Sequence, residues 1–97
     1  MTERAVSLVA EISSDDPTSI EPVLRAFAMS EITATADGFH VVATMRGTDV
    51  RELNRSLLSA LRRVERRTRL RSEWTANGVT YGYFDYVLRS SRPASPA

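Results

Sequence analysis

TDVRELNRSLLSALRRVERRTRLR, residues 48–71, is the longest uninterrupted helical pattern in the chain and the place where its arginines collect. Val50, Leu53, Leu57, Leu61 and Val64 recur at steps of three and four, which on a 3.6-residue helix makes one apolar stripe flanked by Leu58 and Ala60. Such a stripe needs a core to cover it. At about 100° per residue, Arg51, Arg55, Arg62, Arg66 and Arg69 fall within an arc of roughly 60° turned away from the stripe. The pattern therefore predicts a helix with one apolar face and one basic ridge. Asp49 with Glu52 three residues on forms a D-x-x-E variant of the capping box and puts acids at the positive end of the helix. Where the helix ends before Leu70 is open by several residues.

Upstream, residues 30–36 and 39–46 flank Asp37-Gly38, a dipeptide suited to the positive φ angles of a two-residue type I′ turn. A hairpin follows, with Ile32, Ala34, Ala36, Phe39, Val41, Ala43 and Met45 inward and Thr33, Thr35, His40 and Thr44 outward. Residues 5–12, AVSLVAEI, alternate Val6, Leu8, Ala10 and Ile12 against Ser7, Val9 and Glu11, the pattern of a half-buried strand. Between these strands, Ile20, Val23, Leu24 and Phe27 predict a short amphipathic helix over 19–28, with Ser19 as N-cap and Pro22 in the first turn.

Downstream, residues 70–75 alternate Leu70, Ser72 and Trp74 against Arg71, Glu73 and Thr75. Asn77-Gly78 then offers a turn into an aromatic strand over 79–88, with Gly82 marking a bulge or kink. SSRPASPA, from Ser90 onward, reads as a disordered tail. The expected architecture is one α+β domain over 1–89. It has an antiparallel sheet with two helices on one face, in the order βαββα plus a C-terminal β-hairpin, followed by a tail over 90–97.

Composition narrows the function. With no cysteine and one histidine, a thiolate nucleophile and a disulfide framework are excluded and a metal site is not expected. No phosphate-cradling loop, dinucleotide fingerprint or nucleophile elbow appears, so no catalytic residue, no cofactor and no enzyme acting alone is expected. His40 has no nucleophile motif beside it, and Asp15-Asp16 before Pro17 read as turn and cap residues. No apolar run approaches the roughly 18 residues that cross a bilayer, and the N-terminus lacks a secretory layout. A cytoplasmic location without membrane contact is the expectation.

The charge is uneven. Residues 1–40 hold two Arg and seven acids, whereas residues 41–97 hold eleven Arg and five acids, and no basic side chain is Lys. Glu52 and Glu65 point away from the ridge, so an intrahelix ion-pair lattice does not account for it. Two readings stand: Arg51, Arg55, Arg62, Arg66 and Arg69, with Arg71 beyond them, contact nucleic-acid phosphates, or they form a solvated face. Trp74, Tyr81, Tyr83, Phe84 and Tyr86 likewise form either a base-stacking platform or the core and rim of a hairpin. Tyr83 and Phe84 cannot both face inward on a regular strand. An open sheet face bearing Val9 and Val42 invites pairing in a symmetric dimer.

The strand over 5–12, the helix IEPVLRAF, the hairpin ITATADGFHVVATM and the helix DVRELNRSLLSALRRV follow the order of a known family. With small polar residues between leucines at Leu53, Ser56, Leu57, Ser59 and Leu61, this part of the chain, residues 5–68, resembles the small dimerising subunit of the KEOPS complex, or a divergent paralogue of it. That complex is involved in making the threonylcarbamoyl-adenosine of tRNA. The resemblance implies a non-catalytic scaffold that dimerises through its sheet with itself or a paralogue. It further implies packing against the complex's catalytic ATP-binding subunit, with Leu57, Leu58, Leu61 and Val64 divided between core and partner contact, and a part in holding tRNA. The alternative is a free-standing RNA- or DNA-binding domain built on the arginine-rich helix.

Overall fold

A computed structural model describes residues 4–27 and 29–93. The chain runs β1 (Arg4–Ser13), α1 (Pro17–Ala26), β2 (Glu31–Ala34), β3 (Gly38–Gly47), α2 (Val50–Val64), β4 (Arg69–Ala76), β5 (Val79–Phe84) and β6 (Val87–Pro93). The fold is α+β, and all six strands join one antiparallel sheet in the order β2-β3-β1-β4-β5-β6. The βαββα unit is present as expected, and the segment after it adds three strands rather than two. The final strand covers residues 90–93, where a tail was expected; residues 94–97 lie outside the described part.

Alternation decides which sheet face is covered. Val6, Leu8, Ala10 and Ile12 of β1, Phe39, Val41 and Ala43 of β3, and Leu70, Trp74 and Ala76 of β4 are buried beneath the helices. Ile20 and Leu24 come down from α1, and Leu57, Leu58 and Leu61 from α2. Period-two strands under period-3.6 helices thus share one core. Of the four residues expected to divide between core and partner contact, Leu57, Leu58 and Leu61 are completely buried in the core, and Val64 alone stays at the surface, half exposed. In the first hairpin Ile32 is partly buried, while Ala34 and Ala36, expected inward, are exposed.

Several local boundaries differ from expectation for identifiable reasons. Helix α1 begins at Pro17 with Asp16 as N-cap, because proline at the first position loses no helical hydrogen bond; its expected end at residue 28 lies outside the described residues. Gly38 does not take a positive φ, so Asp37-Gly38 is not a type I′ turn. The turn spans four residues instead, closed by Thr35 N–H donating to Gly38 C=O at 2.9 Å. Gly38 faces the β1 backbone, where a Cβ would stand 1.8 Å from the Ile12 carbonyl oxygen, so close strand approach is what requires glycine there. Asn77 and Gly78 do take positive φ, 55° and 75°, and close the β4–β5 hairpin in two residues. The irregularity expected near Gly82 is a register shift against β6, where Arg89 is the extra residue.

Helix α2 stops at Val64, five residues short of Arg69. Glu65 turns to extended backbone and its carboxylate accepts from Arg67 N–H at 2.7 Å, while the Thr68 hydroxyl donates to Glu65 C=O at 2.7 Å. This four-residue corner buries Thr68 and releases the chain into β4, whose alternation takes over at Leu70. At the other end the Asp49 carboxylate accepts from Arg51 N–H at 2.9 Å, but Glu52 turns to Arg55 rather than back to the cap. The capping box is therefore half made.

One buried polar cluster fastens α2 to the sheet. The Asn54 Oδ1 accepts from the Ser72 hydroxyl at 2.6 Å and from the Trp74 indole N–H at 3.0 Å, and its Nδ2 donates to the Asp85 carbonyl at 2.8 Å. An indole N–H can only donate, so the carboxamide orientation is fixed. Asp85 sits in the β5–β6 turn at φ 55°, a region that aspartate tolerates better than most residues; its N–H donates to Leu70 C=O at 2.6 Å and its Oδ1 accepts from Leu70 N–H at 2.9 Å. Replacing Asn54 with alanine leaves buried donors and an acceptor without their partner and should cost about 3 kcal/mol. Urea unfolding followed through Trp74, the chain's single tryptophan, checks this. A midpoint unchanged from the native chain would contradict the assigned role.

Candidate nucleic-acid interface

The arginines expected on one helical ridge are distributed over three elements, because α2 ends before the last of them. Arg51 and Arg55 lie on the first half of α2, Arg66 in the α2–β4 corner, and Arg69 and Arg71 on β4 facing away from the helices. Arg55 pairs with Glu52 at 2.8 Å, which corrects the expectation that Glu52 points elsewhere. Arg62, Arg66 and Arg69 regroup around the corner, whereas Arg51 stays at the far end of α2.

Arg62 belongs to the fold. Its Nε donates to the Thr68 carbonyl at 2.9 Å, its terminal nitrogen lies 3.4 Å from the Asp85 carboxylate, and its guanidinium sits 5.3 Å from the centre of the Tyr86 ring. The Tyr86 hydroxyl in turn shares a 3.1 Å hydrogen bond with Ser59, so the β5–β6 turn is clipped to α2 along a second line. Arg66 and Arg69 are exposed and have no carboxylate within salt-bridge distance among the described residues. Arg67, not singled out in the sequence, reaches Asp15 at 3.5 Å. A cavity of about 520 Å³ is lined by Asp15, Arg62, Arg66, Arg67, Arg69 and Asp85.

A second cavity of about 490 Å³ opens on the uncovered sheet face between Glu11, Asp37, Arg69, Arg71 and Phe84. Arg69 lines both. The Arg71 guanidinium lies 4.8 Å from the centre of the Phe84 ring, a separation at which a cation is attracted by the ring face. Phe84 is 40% exposed while its neighbour Tyr83 is 6% exposed, so the pair divides between the two faces as expected. Of the five aromatics that could have made a stacking platform, Trp74 and Tyr83 are core. Tyr86 is held by Ser59 and Arg62, Tyr81 is partly buried against the core and lines a groove with Arg51, and Phe84 faces the open sheet face beside Arg69 and Arg71.

Elsewhere on the open face, His40 Nδ1 stands 3.0 Å from the Glu11 carboxylate and Arg92 reaches Glu73 at 2.7 Å. Among the described residues no group of three or more His, Asp or Glu lies close enough to hold a metal ion, and no helix is long and apolar enough to cross a membrane. Burial, reinforced by the nearby Asp49 carboxylate and opposed by Arg51, pushes the Tyr83 phenol above its ordinary value. A raised pKa favours the neutral, folded form, so this contribution is complete below about pH 10 and is lost as pH rises through the folded value.

Comparison with family models, with curated proteins and with solved structures finds no match. The arrangement of side chains therefore carries the functional argument. Sequence reasoning missed Arg67 and Asp85, since the first closes on an acid 52 residues away and the second acts from a turn hidden inside an apparent strand.

Two expectations separate structural from available groups. Arg62→Ala should lower stability by roughly 1–2 kcal/mol, through loss of a charge-assisted bond, an ion pair and a ring contact. Arg66→Ala and Arg69→Ala, both solvent-exposed, should each stay within about 0.5 kcal/mol. Denaturant titrations of the three variants check the contrast. Tyr83→Phe should remove part of the loss of stability on going above pH 10, read as a shallower alkaline slope in thermal melts.

Proposed function

We propose that this chain is a non-catalytic accessory subunit of a tRNA-modifying assembly of the threonylcarbamoyl-adenosine type. In this reading it self-associates or pairs with a paralogue, and it helps to hold tRNA. The observation that carries the reading is the one-sided sheet. Both helices of the βαββα unit lie on one face, and the opposite face is left open with Val9 44% and Val87 57% exposed. Apolar side chains on an uncovered face are what a protein partner covers.

Strand β1 has no free edge for that purpose, because β3 pairs with one side and β4 of the same chain pairs with the other from Ser7 to Ser13. The outer strands remain, and both carry features that discourage pairing: β2 has four residues, and β6 contains Arg89, Arg92, Pro93 and a bulge. Association through the open face, with Val9 at its centre between Val42 and Glu73, fits this better than edge pairing. Leu57, Leu58 and Leu61 take no part in it, and Val64 is the residue of α2 left for a partner.

The measurement is affinity capture of the tagged chain from its own lysate, split into nuclease-treated and untreated halves, alongside the mass of the purified chain by light scattering. A dimer of the 10.8 kDa chain that Val9→Glu dissociates, together with nuclease-resistant recovery of threonylcarbamoyl-transfer machinery, is expected. A native chain that stays monomeric, with protein partners lost after nuclease, would sink the scaffold reading. That outcome would favour the free-standing nucleic-acid-binding alternative, which the unpaired Arg66, Arg69 and Arg71 support.

A further inference from the structure

Arg69 lines both arginine-rich cavities, and a channel joining them would run past it round the start of β4. It would begin at the α2–β4 corner with Arg62, Arg66 and Arg67 and end on the open sheet face at Arg71 and Phe84. We propose that this channel is a track for single-stranded nucleic acid, with Arg66 and Arg69 on successive phosphates and the Arg71–Phe84 pair as a ledge on which a base stacks. The proposal rests on the reading that the chain handles RNA, and it assigns that task to a surface.

Charge and shape both support it. The carboxylates at the corner are engaged. Asp85 holds the Leu70 amide and Arg62, and Asp15 meets Arg67, leaving Glu11, within hydrogen-bond distance of His40, and Asp37 as the acids on the open-face side. Arg66, Arg69 and Arg71 are thus the cations left to neutralise phosphates and release their counterions. The guanidinium of Arg71 lies 4.8 Å from the Phe84 ring centre, which puts a cation and an exposed ring, the two kinds of group on which unpaired bases stack, side by side. A duplex offers no such base. Nor does a duplex, whose persistence length is about 150 base pairs, follow a path that bends round the rim of a small domain. A single strand does both.

The experiment is fluorescence anisotropy with the full chain and labelled 12-nucleotide RNA and DNA of one sequence, with an RNA hairpin stem for comparison, over a series of salt concentrations. Both single strands should bind more tightly than the stem. Arg66→Ala/Arg69→Ala should weaken single-strand binding at least about 10-fold and reduce the salt slope by about 1.4, since each phosphate contact contributes about 0.7 on single strands. Phe84→Leu, which keeps apolar bulk and removes the ring, should weaken binding about 10-fold with little change in salt slope. Arg25→Ala, on α1 and paired with Glu21, should leave binding unchanged. Thermal melts confirm that each variant is folded.

Binding that survives the Arg66/Arg69 and Phe84 changes, or that falls as much in Arg51→Ala/Arg55→Ala, overturns the track while the RNA-handling reading stands. Preference for the stem overturns the single-strand assignment. If neither RNA nor DNA binds the native chain, both the track and the RNA-handling reading fail.

Discussion

The Asn54 carboxamide is the polar interaction on which the arrangement of the other elements depends. A buried amide with any of its partners missing is costly, and this one is satisfied only when α2, β4 and the β5–β6 turn are all in position. The leucines around it supply most of the burial, but leucines tolerate sliding along a sheet by a fraction of a turn. The carboxamide does not. It sets the rotation of α2, and so which side of the helix the arginines occupy and how far the α2–β4 corner stands from the sheet. Among the described residues no buried side-chain nitrogen or oxygen lacks a partner, which is the condition under which such a cluster specifies a structure instead of weakening it.

From that rotation follows the division of the arginines. Arg62, at the end of the helix, becomes structural, partly buried against Thr68, Asp85 and Tyr86, whereas Arg66 and Arg69, beyond the helix end, become available. A basic run that looks uniform in sequence thus contains members with different work. The positive surface that results is compact, concentrated where two chain directions meet, instead of being drawn out along a helix.

Much of the fold was legible because its determinants are local. Alternation in 5–12 and 70–76, the helical period in 50–64 and the Asn77-Gly78 turn each depend on neighbours within a few residues, and each is observed. The misreadings share a different cause. The end of α2 is set by Thr68 and Glu65 closing a corner without Gly or Pro, the Gly38 conformation by the approach of β1, and the split of the last strand by Asp85 bonding to Leu70. These are long-range or side-chain-to-backbone effects that periodicity does not register. Sequence reasoning passes over Asn54, although on the helical wheel it falls between Val50, Leu57 and Leu61 on one side and Leu58 on the other, where a polar residue signals a buried bond. The candidate site was legible as a set of residue types and not as a shape, since its outline depends on where the helix stops.

The position of β1 in the sheet has a consequence for how the molecule assembles. Strand β1 is flanked on both edges by strands that follow it much later in the chain, β3 at residues 38–47 and β4 at residues 69–76. Both pairings are non-local, and loops of that length must close before either edge gains its hydrogen bonds, which slows folding relative to a helical domain of the same size. Until residue 76 has left the exit tunnel, one edge of an apolar strand is open to any other chain nearby. A nascent or truncated form ending after α2 is therefore the species most exposed to misassembly, and chaperone contact is best timed to that interval of synthesis.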